Sequence, residues 1–167
     1  MEKDTTLEIL KQAILLERRG MAFYEKVAEQ TESQAVRDVF ELMAAEEQKH
    51  IHTLSEQFKA YHQSKTFMPK TYSGPEDDRL ASKVLNQNIK DGISAAGFEA
   101  AAISAAISME EQAIKLYDES ARKTTDSDAK ALYEWLAKWE RGHLRMLFDI
   151  DKSLKENIWF DNQFWPF

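Results

Sequence analysis

Apolar residues recur at three- and four-residue intervals along four long stretches of this chain, the spacing that places them on one face of an α-helix. The pattern predicts helices over about Thr6–Gln30, Glu32–His62, Gly97–Lys123, and from Asp126 or Ser127 to about Leu154. The joints within the first pair and within the second pair are short, so each pair should form an antiparallel hairpin. Roughly 30 residues separate the hairpins, enough for one long crossover, and that is the connectivity of a ferritin-like four-helix bundle.

Three smaller features complete the all-α prediction. Thr31 and Gln34 have the spacing of a capping box, which would open the second helix. Within the crossover, Ser73–Asn88 could form a short extra helix. The C-terminal tail, Ile158–Phe167, holds five aromatic residues. We expect it to fold over its own bundle or a twin subunit, and a docking site for another partner is the alternative.

Polar residues interrupt all four apolar stripes at matching positions. A lone glutamate interrupts the first and third stripes, and a Glu-x-x-His pair interrupts the second and fourth. The second set follows the first by 93 residues throughout, pairing Glu17 with Glu110, Glu47 with Glu140, and His50 with His143.

The shared offset separates this pattern from chance. Two Glu-x-x-His pairs are unsurprising in a glutamate-rich chain, but a lone glutamate 30 residues before each pair is not. Neighbouring positions repeat as well: Ala13, Ile14, Tyr24, Ala28, Glu41, Ala44 and Leu54 match Ala106, Ile107, Tyr117, Ala121, Glu134, Ala137 and Leu147. We therefore interpret the chain as a duplicated helical hairpin.

Buried carboxylates are costly unless they are paired or bind a metal, so the six residues predict a dinuclear metal site. Four glutamates would balance two divalent ions, with the imidazoles neutral. Glu-x-x-His places both side chains on one helical face, where they can share a metal. Oxygen ligands with one imidazole per metal favour iron or manganese among redox metals, while zinc would also bind. Without metal, the crowded carboxylates should have some raised pKa values and soften the core.

Nearby polar residues have simpler interpretations. Glu46 and Glu111 fall beside the ligand face, and we expect ordinary surface charges there. His52 and His62 lie off that face and should be solvated. Tyr24 and Tyr117 each follow a lone glutamate by seven residues. They could hydrogen-bond to the carboxylates or simply pack with a buried hydroxyl. No catalytic residue is predicted beyond the metal ligands.

Composition narrows the function classes. The 167 residues suffice for one domain with a substantial core. The absence of cysteine excludes disulfides and cysteine-ligated zinc or iron–sulfur centres, and it is compatible with the cytoplasm. A net charge of −7 argues against a nucleic-acid partner. There is no secretory signal or membrane-length apolar run, so we expect no membrane association.

Four segments resemble the ligand helices of the rubrerythrin family of ferritin-like diiron proteins: AILLERRGMAFY, LMAAEEQKH, AISMEEQAIKLY and LAKWERGH. The resemblance covers about residues 13–54 and 103–147 and implies the same six ligands. Full rubrerythrins also carry a rubredoxin domain with cysteine-bound iron, whereas this chain has no cysteine. They often have a further glutamate where this chain has Ala113, so the site should be more symmetric here.

The resemblance implies a diferrous centre that reacts with hydrogen peroxide or dioxygen, as a peroxidase or ferroxidase. Two ferrous ions would each give one electron to the O–O bond, and a separate donor protein would restore them. The alternative is a bundle that binds or buffers metal without catalysis. Family resemblance also leads us to expect a homodimer.

Overall fold

The computed structural model describes residues 5–74 and 97–161, with side chains through Glu156. Four long helices account for most of this chain: α1 (Thr5–Gln30), α2 (Gln34–Ser64), α3 (Phe98–Lys123) and α4 (Ser127–Asp161). The fold is therefore all-α, as the apolar periodicity predicted. The proposed short helix at 73–88 falls largely outside the described residues, as does the end of the aromatic tail.

Two antiparallel hairpins build the bundle, α1 with α2 and α3 with α4, and α1 also packs on α3. One end of the bundle holds the first apolar cluster, which joins the end of α1, the starts of α2 and α3, and the end of α4. The opposite end holds the second apolar cluster, built from the remaining helix ends and Phe67. Helices α1 and α4 therefore run in one direction and α2 and α3 in the other, as in a ferritin-like bundle.

The start of α2 differs from the predicted capping box. Ser33, not Thr31, is the N-cap, and its hydroxyl accepts a hydrogen bond from the Val36 amide at 3.4 Å. The Thr31 hydroxyl instead donates to Glu99 Oε1 on α3 at 2.9 Å, tying the first turn to the second hairpin. The Thr31 side chain thus binds a residue on α3 instead of capping α2, as the local pattern had predicted it would.

The chain after α2 turns back along the bundle. Lys65 adopts a left-handed conformation with φ of 60°, and its amide donates to the Tyr61 carbonyl, which closes the helix. Beyond it, Tyr72 stacks on Trp135 of α4 with ring centroids 5.1 Å apart. The Trp135 indole donates to the Ser73 carbonyl at 2.6 Å. Tyr72 and Ser73 therefore lie against α4, consistent with the start of a crossover.

The last helix extends further than the apolar pattern predicted. It begins at Ser127, where the Asp126 carboxylate accepts from the amides of Asp128 and Ala129, and it continues to Asp161, beyond the expected end at Leu154. The first residues of the aromatic tail therefore continue α4. Within residues 5–74 and 97–161, no helix combines the length and apolar character needed to cross a lipid bilayer.

Candidate metal centre

Six buried polar side chains meet midway along the bundle, between the two apolar clusters. Helices α1 and α3 each contribute one glutamate, and α2 and α4 each contribute a glutamate with a histidine one turn later. None is more than 3% exposed: Glu17, Glu47, His50, Glu110, Glu140 and His143. The structure brings together all six residues that the 93-residue repeat singled out.

The six residues form two overlapping groups of four. One contains Glu17 and His50, the other contains Glu110 and His143, and both include Glu47 and Glu140. Within each group, one nitrogen or oxygen atom from every residue lies within 4.8 Å of the others. Two adjacent carboxylate–histidine clusters that share two members are consistent with a dinuclear metal site.

The shared carboxylates divide their oxygens between the two imidazoles. His50 Nδ1 lies 3.1 Å from Glu47 Oε2 and 3.0 Å from Glu140 Oε1. His143 Nδ1 lies 3.4 Å from Glu47 Oε1 and 3.2 Å from Glu140 Oε2. Glu17 Oε2 completes the first group at 3.2 Å, and Glu110 Oε1 the second at 3.4 Å. Glu47 and Glu140 are therefore shared between the two groups, and Glu17 and Glu110 each belong to one group.

Hydrogen bonding alone does not satisfy this cluster. Three carboxylates surround each Nδ1 atom, which can carry at most one hydrogen. Among the described residues, both Glu140 oxygens and His143 Nδ1 lack a hydrogen-bond partner. Distances of about 3.0–3.4 Å separate neighbouring ligand atoms around an ion with bonds of about 2.1 Å. The donor set therefore fits a cation in each group.

Two tyrosines link the hairpins across the site. The Tyr24 hydroxyl on α1 donates to Glu110 Oε1 on α3, and the Tyr117 hydroxyl on α3 donates to Glu17 Oε1 on α1. Burial, followed by the charge of the nearby carboxylate, raises the pKa of both hydroxyls well above the usual value. They remain protonated donors, so each tyrosine fixes the orientation of a glutamate from the opposite hairpin.

Glu46 is the residue that the sequence interpretation missed. We expected a surface charge, but the side chain is only 6% exposed and Oε2 accepts from His143 Nε2 at 2.6 Å. The hydrogen bond directs Nδ1 of the same imidazole toward the cluster. Helical spacing gave no sign of this contact, because α4 supplies the partner. Glu111, His52 and His62 are exposed, as expected.

The two imidazoles consequently have different surroundings, despite the repeated ligand set. The residue 93 positions after Glu46 is Trp139. His50 lies edge-on to Trp139 and Trp135, with ring centroids 5.6 and 5.4 Å away. A carboxylate thus hydrogen-bonds to His143, whereas two indole rings pack against His50. The expected symmetry holds for the ligands and fails for the residues behind them.

When no metal is bound, the four glutamates form two pairs whose pKa values are shifted in opposite directions. Burial, and then the charge of Glu140, raises the pKa of Glu17 well above its usual value and that of Glu110 to about 8. For Glu47 and Glu140 burial acts in the same direction, but the imidazoles and adjoining groups lower the pKa below its usual value. Burial disfavours both imidazolium ions, yet the surrounding carboxylates raise the histidine pKa values well above the usual one. Protons thus balance the charge that metal would otherwise balance.

Comparison with known families agrees with the ligand geometry. The model of the family described as rubrerythrin matches residues 8–151, a span that contains all six clustered residues. No curated protein and no solved structure matched the chain.

Proposed function

The chain belongs to the rubrerythrin family, and on that basis we propose that the buried cluster holds two iron ions and reduces hydrogen peroxide or dioxygen. The observation that carries the proposal is the pair of overlapping groups, in which Glu47 and Glu140 each present one oxygen to either position. Shared carboxylates of this kind hold two cations close together, typically about 3.5–4 Å apart in two-metal sites.

Ligand chemistry supports iron as the metal. Each group offers carboxylate oxygens and one imidazole nitrogen. This set suits iron, although manganese and zinc also bind it. Four ionised glutamates neutralise two divalent ions, so the six ligand residues and the two ions together would carry no net charge. Two bound ferrous ions would supply the two electrons that convert hydrogen peroxide and two protons into two water molecules.

The surrounding residues prepare the site for that chemistry. Tyr24 and Tyr117 hold the terminal glutamates by hydrogen bonds, and Glu46 orients His143. The apolar clusters pack the core on either side of these residues. With no cysteine, the chain holds no cysteine-ligated iron that could return electrons. We assign that task to a separate donor protein, and association into a homodimer stays a prediction.

The test is an anaerobic Fe(II) titration of metal-stripped protein, followed by one rapid addition of hydrogen peroxide. We expect two irons per chain and rapid growth of a near-ultraviolet oxo-diferric band. Binding of two irons with oxidation no faster than in buffer would contradict catalysis and favour a metal-binding or iron-buffering bundle. Repeating the titration with Mn(II) and Zn(II) compares the affinities of the competing metals.

Substitutions can separate bridging from terminal roles. Glu47→Ala removes an oxygen from both groups, so we expect less than one tightly bound iron per chain. Glu17→Ala removes a ligand from one group only and should leave about one. Glu111→Ala, at an exposed glutamate beside Glu110, serves as the control and should leave two. An unchanged iron stoichiometry in the Glu47 variant would overturn the ligand assignment.

A further inference from the structure

A cavity of about 230 Å³ opens beside the cluster, between α1 and α3. The duplicated hairpins build most of it, since ten of its eleven lining residues form five pairs related by the 93-residue repeat. Two of these pairs are the four carboxylates of the site. The other three pairs are Leu16 with Met109, Arg19 with Gln112, and Gly20 with Ala113. Matching residues of both repeats therefore form the cavity, and no single irregular loop creates it.

The cavity is larger than hydrogen peroxide requires. A cavity needs about 10–15 Å³ to hold one water molecule, so a volume of this size has room for several. Hydrogen peroxide has only two heavy atoms. Two bound ions and their solvent would fill the end nearest the carboxylates, and space would remain along the rest of the cavity.

Apolar side chains line that remaining space. Leu16 and Met109 face it from opposite helices, and Ala113 lies beside them. Arg19 and Gln112, both exposed, lie at its outer edge. A molecule with one polar end and a small apolar body would match this arrangement, with the polar end toward the carboxylates.

Gly20 keeps part of this space open. It lies in the interior of α1, where glycine is less favourable than alanine, and its φ is not positive. A Cβ atom there would lie 3.7 Å from Tyr24 Cε2 and 3.9 Å from Glu47 Cδ, which are ordinary van der Waals contacts. Neither backbone conformation nor crowding therefore requires glycine. Its effect is to leave room beside a bridging carboxylate.

Building on the proposed function, we propose that this cavity admits organic hydroperoxides with a small alkyl or aryl group, and that the site reduces them to alcohols. The O–O bond of ROOH breaks, the outer oxygen leaves as water, and the oxygen attached to carbon becomes the alcohol. Two protons are consumed. Two ferrous ions held by the six ligands would supply the two electrons and become ferric, and the separate donor protein would reduce them again.

The first test compares oxidants on the same diferrous protein. Anaerobic stopped-flow measurements would follow oxidation by hydrogen peroxide, tert-butyl hydroperoxide and cumene hydroperoxide. We expect the two organic hydroperoxides to react within about tenfold of the hydrogen peroxide rate, and product analysis to show tert-butanol and 2-phenyl-2-propanol. Oxidation by hydrogen peroxide alone would overturn this inference while leaving the proposed function intact. Failure of all three oxidants would overturn the proposed reduction of peroxide itself.

Two substitutions change the cavity in opposite directions. Gly20→Ala narrows it and should lower the ratio of cumene hydroperoxide rate to hydrogen peroxide rate by about tenfold, the usual effect of one methyl group in an apolar pocket. Ala113→Gly widens it and should raise that ratio. Gly142→Ala and Ala105→Gly are matched controls for helix propensity, since a Cβ at Gly142 meets nothing within 4 Å and Ala105 is exposed. Equal ratios in all four variants would contradict the role of the cavity.

A binding measurement provides a readout that does not depend on turnover. Zinc-loaded protein, which cannot transfer electrons, would be titrated with 2-phenyl-2-propanol while the Met109 methyl resonance is followed by NMR. We expect saturable shifts in the natural chain and at least a tenfold weaker affinity in Gly20→Ala. Shifts that fail to saturate in the natural chain would show that the cavity does not hold the organic group, and would overturn the inference.

Discussion

One hydrogen bond makes the surroundings of the two clustered histidines unequal. The Glu46 carboxylate accepts from Nε2 of His143, so when this ring is neutral its Nδ1 atom would present a lone pair to a metal ion in the cluster. A carboxylate behind a ligating histidine fixes the ring and increases its basicity. His50 instead lies against the edges of Trp135 and Trp139, which supply no charge. We therefore expect the group containing His143 to bind its ion more tightly.

Replacing Glu46 tests this difference. Glu46→Gln retains a hydrogen-bond acceptor but removes the charge, and Glu46→Ala removes both. We expect affinity at the His143 position to fall by about 10- to 100-fold in the alanine variant and less in the glutamine variant. Co(II) titration against a competing chelator, followed by visible absorption, would measure the two affinities separately. Glu111→Gln is the control, and equal weakening of both positions would contradict the assignment.

Local pattern was sufficient to predict the four long helices, apart from the end of α4, and the six clustered residues. Each of those residues interrupts an apolar stripe, so sequence alone shows the anomaly, and helical geometry shows that Glu47 and His50 share a face. The Thr31 cap and the surface position of Glu46 were wrong for a common reason. Glu99 binds Thr31 and His143 binds Glu46, and both partners lie on the other hairpin. Packing between distant segments decides such contacts.

The contribution of the Ser33 N-cap to the free energy of unfolding can be measured. Ser33→Ala removes the acceptor for the Val36 amide and should lower the free energy of unfolding by about 1 kcal/mol. Urea denaturation of metal-stripped protein would measure the change. The control is Ser104→Ala, an exposed site within α3, which should stay within about 0.5 kcal/mol of the natural chain. An equal loss of unfolding free energy in both variants would show that the Ser33 cap adds no stability beyond that of an exposed serine within a helix.

At the scale of the whole molecule, duplication places like charges at the centre of the core. The two apolar clusters stabilise the ends of the bundle, while the carboxylates between them repel one another unless protons or metal ions neutralise them. Metal binding requires ionised glutamates and neutral imidazoles, so it must displace the protons that the metal-free cluster holds. Loading should therefore release several protons, and acid should release the metal.

This exchange predicts opposite pH dependences for the two forms of the protein. In the metal-free form the folded pKa of Glu110 is raised from 4.5 to about 8, and that of Glu17 is raised as well. Because the folded state binds these protons more tightly than the unfolded state does, stability falls as pH rises from about 4.5 to 8. The raised imidazole pKa values act in the same direction above about 6.5. Below about 4.5, protonation of Glu47 and Glu140, whose pKa values are lowered, also costs stability.

Metal-loaded protein should show the reverse, because its ligands carry no protons and the unfolded chain takes them up in acid. Scanning calorimetry at pH 5, 6, 7 and 8 should give a Tm that falls across this range for stripped protein and rises for loaded protein. Glu110→Gln mimics the protonated carboxyl and should flatten the decline in the stripped form. A stripped protein whose Tm rises from pH 5 to 8 would show that burial and mutual repulsion do not control these carboxyls. The gap between the two curves is the stabilisation by metal, which should be largest at pH 8.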